Sequence, residues 1–175
     1  LRFLALALCG FIGGVFGANS ALARPAELSP NMPRVSGAVD PAVTPETIDT
    51  TICVSGYARS VRPPYSVTGP IKRQLMRAQH PGERFAGYEL DHLVPLALGG
   101  ASADERNLWL EPWTGPMNAN DKDALEFVLW RLVCRHEVAL RTAQRAIADN
   151  WIEAYRRYAT PQNLARFHFG RTGSD

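Results

Sequence analysis

The chain contains no internal repeat and no low-complexity tract, which sets aside solenoid and array architectures. Its apolar N-terminal run is short for a helix that spans a bilayer. Cysteine is scarce, at three residues. Neither charge sign dominates: the formal net charge is +2, which alone says little about a polyanionic partner. One local absence says more. Between Cys53 and Gly82 there is no acidic residue, whereas Arg59, Arg62, Lys72, Arg73 and Arg77 all fall there. A basic face in this stretch suits phosphate groups; a solvated helix face is the plain alternative. With 175 residues of ordinary composition, the chain suits one domain with a modest core.

The N-terminus carries the pattern of an export signal over residues 1–23. Arg2 supplies the positive end, Phe3 to Phe16 is apolar, and Ala21-Leu22-Ala23 offers a small-residue cleavage site. The expectation is an exported protein, periplasmic or secreted, with no stable membrane association once the signal is removed. A retained anchor is the alternative. Cleavage removes Cys9 and leaves Cys53 and Cys134. In an oxidising compartment these two favour a disulfide, whose long loop is worth about 4 kcal/mol in the chain-entropy picture. Two buried free thiols are the other arrangement. Residues 24–49, rich in Pro, Ala, Ser and Thr without periodicity, are expected to be a mobile linker.

A domain over 50–160 follows. Thr50 to Tyr57 is β-branched and suits a short strand, and Arg59 to Pro64 is held extended by its prolines. Thr68 to Gln79 suits a helix capped by Thr68, with Pro70 in its first turn and Ile71 and Leu75 inward. His80 beyond it is a metal or phosphate contact or, more simply, a surface histidine. Helical spacing returns from Asn118 to about Arg135, over Ala139 to Ala148 and over Asn150 to Tyr158, before Thr160-Pro161 stops it. These helices are expected to cover the central element and close the core. Trp130 and Trp151 suit the core; Trp109 and Trp113, nearer the centre, divide between core packing and base stacking. Residues 161–175 read as a C-terminal tail, frayed after Phe169.

The central element is Tyr88 to Glu126. Leu90, His92, Val94 and Leu96 alternate with Asp91, Leu93 and Pro95, which is strand spacing. Gly99-Gly100 marks a turn, and Asn107-Leu108-Trp109-Leu110 restarts an extended segment. Leu125, Leu129 and Leu132 then recur at helical intervals. A β-hairpin followed by a helix brings the ends of both elements together. Neighbours in a strand point to opposite faces, so Asp91 and His92 address one centre from different sides. An acid on a cation and an imidazole on a water suit metal-assisted hydrolysis.

The run DH-x-x-P-L-x-L-G-G, then N-L-W, then N-A-x-x-K-D-x-L-E resembles the HNH (ββα-metal) nucleases, and from about Cys53 to Tyr158 the chain resembles small exported bacterial HNH proteins. It lacks the paired CxxC motifs with which some members hold a structural zinc. The resemblance implies an α+β fold: a ββα-metal hairpin-helix core covered by additional helices. It implies that Asp91 is the metal-binding acid, His92 the general base, Asn107 the residue bracing the loop, and Asn118 the second metal ligand. Asn120, Lys122, Asp123 and Glu126 are supporting residues or alternative ligands. Oxygen donors favour Mg²⁺ or Mn²⁺. The expected activity is hydrolysis of phosphodiester bonds in DNA ahead of RNA, by a monomer, leaving 5′-phosphate and 3′-hydroxyl ends. Arg59 and Arg62 are expected to hold phosphate. Activity should fall as pH drops below about 6, where a histidine base protonates. Two other classes remain: a catalytically silent nucleic-acid-binding ββα module, and an exported structural domain.

Overall fold

The computed structural model describes residues 32–170; the expected signal segment and the last residues of the tail lie outside them. The fold is α+β: a two-stranded antiparallel hairpin packed with five helices. In chain order the elements are α1 (Tyr57–Ser60), α2 (Tyr65–Gln79), β1 (Tyr88–His92), β2 (Leu108–Pro112), α3 (Ala119–Val133), α4 (Leu140–Tyr158) and α5 (Pro161–Arg166). β1 and β2 pair in the register Glu89 to Glu111, Asp91 to Trp109 and His92 to Leu108.

α3 starts at a capping box. The Asn118 side chain accepts from the Asn120 amide, and the Asp121 carboxylate accepts from the Asn118 amide, satisfying amides that the first turn leaves bare. The helix then buries Leu125, Val128, Leu129, Leu132 and Val133. α4 answers with Leu140, Ala143, Ile147 and Trp151, and the two helices pack on one another. Each large side chain fully buried in this layer contributes about 1.5–3 kcal/mol. Cys53 and Cys134 are joined by a disulfide that ties the N-terminal segment to the end of α3.

Several local expectations are corrected. Residues 32–49 are not a loose linker: Val43 and Ile48 are buried in the core, and Val39 bridges to Gly100. Thr50 to Tyr57 forms tight turns rather than a strand. Its amides return to carbonyls a few residues back, as Cys53 does to Ile48. α2 begins at Tyr65 rather than Thr68, so Pro70 lies beyond its first turn. The carbonyl that Pro70 cannot reach belongs to Ser66, which is exposed. Gly69 and Met76 are the residues α2 buries, with Ile71 and Leu75 half-buried. The two C-terminal runs merge into α4, bent at Asn150. Thr160-Pro161 ends α4 and also opens α5, with the Thr160 hydroxyl accepting from the Asn163 amide at 3.2 Å. Phe167, assigned to the tail, is buried in the core.

Candidate active site

β1 ends at His92, four residues short of Leu96, where the alternating pattern would carry it. The reason is Asn107. Its side-chain oxygen accepts from the Val94 amide at 2.8 Å, and its amide nitrogen donates to the carbonyls of Val94 (2.9 Å) and Ala101 (3.1 Å). Its own carbonyl accepts from the Leu93 amide. One fully buried side chain thus takes the place of a ladder partner and folds the Leu93–Arg106 loop back on itself. Gly100 is what lets the loop close: a Cβ there would overlap the Val94 carbonyl oxygen and stand 2.7 Å from the Asn107 side-chain nitrogen. From the far side, Gln144 of α4 donates to the Leu98 carbonyl at 2.8 Å.

The loop returns a carbonyl to the imidazole. His92 Nε2 lies 2.9 Å from the Ser102 carbonyl oxygen. A carbonyl only accepts, so Nε2 carries the hydrogen and, in the neutral ring, Nδ1 carries the lone pair. Burial lowers the His92 pKa below its ordinary value. Asp91 and the Ser102 bond oppose that effect, and Arg62 and Lys122 reinforce it. The ring is therefore neutral at pH 7, with 5% of the residue exposed.

Asp91 lies on the other face of the hairpin, with Glu89 and Glu111. α3 supplies one cation to this face. Lys122, whose side chain is 1% exposed, donates to Asp91 Oδ2 at 2.5 Å, to the His92 carbonyl at 2.9 Å, and to Glu126 Oε1. A single ammonium thus holds the carboxylate of one residue and the backbone of the next. Burial pushes the Asp91 carboxyl up, but the ammonium outweighs burial and holds it below the usual range. Burial likewise disfavours the Lys122 charge, and the surrounding carboxylates more than restore it.

The cluster holds more acid than one lysine balances. Burial raises Glu111 well above its ordinary pKa, and its buried Oε1 has no hydrogen-bond partner among the described residues. Glu89 and Glu126 are each pushed up to about 8, by burial first and by neighbouring carboxylates as well. Burial also raises Asp123. At neutral pH the ionised pair is Lys122 with Asp91, and burial favours the protonated form of Glu111.

The other expected residues divide. Asn118 sits at the N-cap of α3, one turn or about 6 Å along the axis from Lys122. Its Oδ1 accepts from the Asn120 amide, and its Nδ2 donates to the Gly115 carbonyl. Asn120 is exposed. No group of three or more His, Cys, Asp or Glu among the described residues is arranged to hold a metal. Arg62 is exposed between α1 and α2, close enough to lower the pKa values of both His92 and Asp123. Arg59 is exposed on α1. Trp109 is core, packed near the buried Trp151 at 6.5 Å between centroids, whereas Trp113 is exposed. His80 pairs with Glu83 and stacks on Tyr88, away from the His92 end of β1.

Two participants have little sequence signal. The Ser102 carbonyl is backbone and could belong to any residue. Glu111 had a faint one: an acid amid the apolar run Leu108-Trp109-Leu110. No protein-family model, curated protein or solved structure matches the chain.

Proposed function

We propose that the protein is a phosphodiester hydrolase of the HNH type acting on nucleic acid, DNA ahead of RNA, with His92 as its general base. The observation that carries this is the Ser102 carbonyl on His92 Nε2, which reserves the opposite ring nitrogen, in a neutral imidazole, for a water proton. That water attacks phosphorus in line, and the 3′ oxygen departs to leave 5′-phosphate and 3′-hydroxyl ends. Asn107 holds the loop that presents the carbonyl. Arg62, whose charge reaches His92, would steady the phosphate, with the exposed Arg59 as a second phosphate contact.

A divalent cation belongs to the same proposal. Magnesium and manganese are hard ions that keep several waters and need only one or two protein oxygens besides substrate phosphate. Lys122 bonds one oxygen of Asp91, so the other oxygen, together with the Asn118 amide oxygen once it gives up the Asn120 side chain, would be donors of suitable chemistry. Bound there, Mg²⁺ or Mn²⁺ would supply charge stabilisation at the leaving oxygen. Lys122 keeps Asp91 ionised for that task. The export-signal pattern expected over residues 1–23 and the Cys53–Cys134 disulfide support action outside the cytoplasm.

The test is plasmid nicking in Mg²⁺ or Mn²⁺ by purified wild type and His92→Ala. A general base contributes about 10²–10⁴-fold, so the variant should lose at least 100-fold. Equal cleavage by the two proteins removes His92 from the chemistry. The limited exposure of His92 and the ammonium already on Asp91 favour a second reading, a binding module without catalysis. It predicts salt-sensitive DNA retention with no nicking in either metal.

A further inference from the structure

Among the described residues, Tyr65 is the most exposed of the large hydrophobic side chains, at 69%. Its ring nevertheless has a fixed support. A Cβ added to Gly69, one turn further along α2, would stand 2.9–3.2 Å from the ring atoms Cζ, Cε1 and Cε2. The ring therefore rests on bare glycine backbone, which it buries, and leaves its remaining surface to solvent. Phe85 is already covered in part, by the Lys72 ammonium 4.2 Å from its centroid.

The position of Tyr65 matters as much as its exposure. Arg62 precedes it by three residues, and the two between are Pro63 and Pro64. Two fixed φ angles leave little freedom in the spacing of guanidinium and ring. Arg62 lies close enough for its charge to act on both His92 and Asp123. α2 begins at Tyr65 with Pro64 as N-cap and no side-chain cap; the Val67 and Thr68 amides turn to the Pro64 carbonyl, and the amides of Tyr65 and Ser66 add a favourable end for an anion. An aromatic surface, a guanidinium and a helix start without a side-chain cap thus fall together in a stretch without a single acid.

We propose that Tyr65 is a base-stacking platform and Arg62 its phosphate partner, and that the ligand of this face is single-stranded nucleic acid. An unpaired base offers its face to an aromatic ring, while a base within a duplex is already stacked on both sides. The adjoining phosphodiester lies on Arg62 and is led toward His92; only this last step rests on the hydrolase proposal.

The experiment is fluorescence anisotropy with a labelled oligothymidine and with a duplex of the same length, in EDTA so that nothing is cleaved. Tyr65→Ala should weaken single-strand binding about tenfold or more and leave duplex binding unchanged. Tyr65→Trp should restore the single-strand affinity. Arg62→Ala should weaken both ligands and flatten the salt dependence by about one counterion. The platform is overturned if Tyr65→Ala binds the oligothymidine as wild type does, if it loses both ligands equally, or if wild type binds neither. A wild type that binds single strands through Tyr65 yet never nicks DNA refutes the hydrolase and leaves the platform standing.

Discussion

Replacing Lys122 with methionine shortens the side chain by one atom and deletes its charge. In the wild type that charge is almost wholly buried and donates to Asp91, Glu126 and the His92 carbonyl. Deleting one partner of a buried ion pair costs about 3–5 kcal/mol, because the other is left uncompensated. Asp91 and Glu126 keep 22% and 18% side-chain exposure and can take up protons, so the lower end applies, about 3 kcal/mol at pH 7. For a domain of this size that lowers Tm by roughly 10 °C. The loss should also depend on pH. In the wild type Asp91 titrates below its ordinary value, so it contributes stability that is present at neutral pH and lost only in strong acid. In the variant burial, the largest influence on Asp91, is opposed only by the weaker pull of the His92 ring and backbone, and its folded pKa rises above the unfolded value. The folded variant then binds a proton that the unfolded chain does not, and its stability climbs as pH falls from 7 to 5. Glu126 is already raised in the wild type and changes the difference less. Urea denaturation of both proteins in EDTA at pH 7 and pH 5 should show the deficit shrinking by about 1 kcal/mol or more, of the 1.4 available per pH unit per proton. A deficit below about 1 kcal/mol at pH 7, or one that does not change with pH, refutes the buried-ammonium account.

Asn107→Ala should cost about 3 kcal/mol in urea denaturation, since it leaves the amide and carbonyl of Val94, both buried, and the part-buried carbonyl of Ala101 without their partner; a loss under about 1 kcal/mol would show that the loop closes without it. Reducing the Cys53–Cys134 bond, or replacing both residues by serine, opens a loop with a sequence separation of 81 and should remove about 4 kcal/mol, read as a lower urea midpoint. Gly100→Ala should express poorly or melt well below wild type by circular dichroism, because its Cβ has nowhere to go; a melting curve matching wild type would contradict the packing of this loop.

The periodicities were enough to place the hairpin and α3, because both elements bury one face and repeat apolar residues at the interval their geometry demands. Asn118 marked the start of α3, and the pair of cysteines marked its tie to the N-terminal segment. Thr50 to Tyr57 misled for a physical reason. β-branched residues favour a strand only where a neighbouring strand offers partners, and here Ile52 is drawn into the core and its neighbours close turns instead. Residues 32–49 lack periodicity, yet single side chains such as Val43 and Ile48 fill gaps that exist only once α3 and α4 have met.

By itself, the sequence determined the hairpin and α3, the adjacency of Asp91 and His92, and the basic stretch before them. The tertiary structure alone decided what those residues do to one another. The protonated nitrogen of His92 follows from a backbone carbonyl ten residues away, and the charge of Asp91 from an ammonium thirty-one residues away. Both effects depend on distances of a few ångströms in a medium from which water is largely excluded, and no spacing along a polymer encodes such distances until the chain has folded.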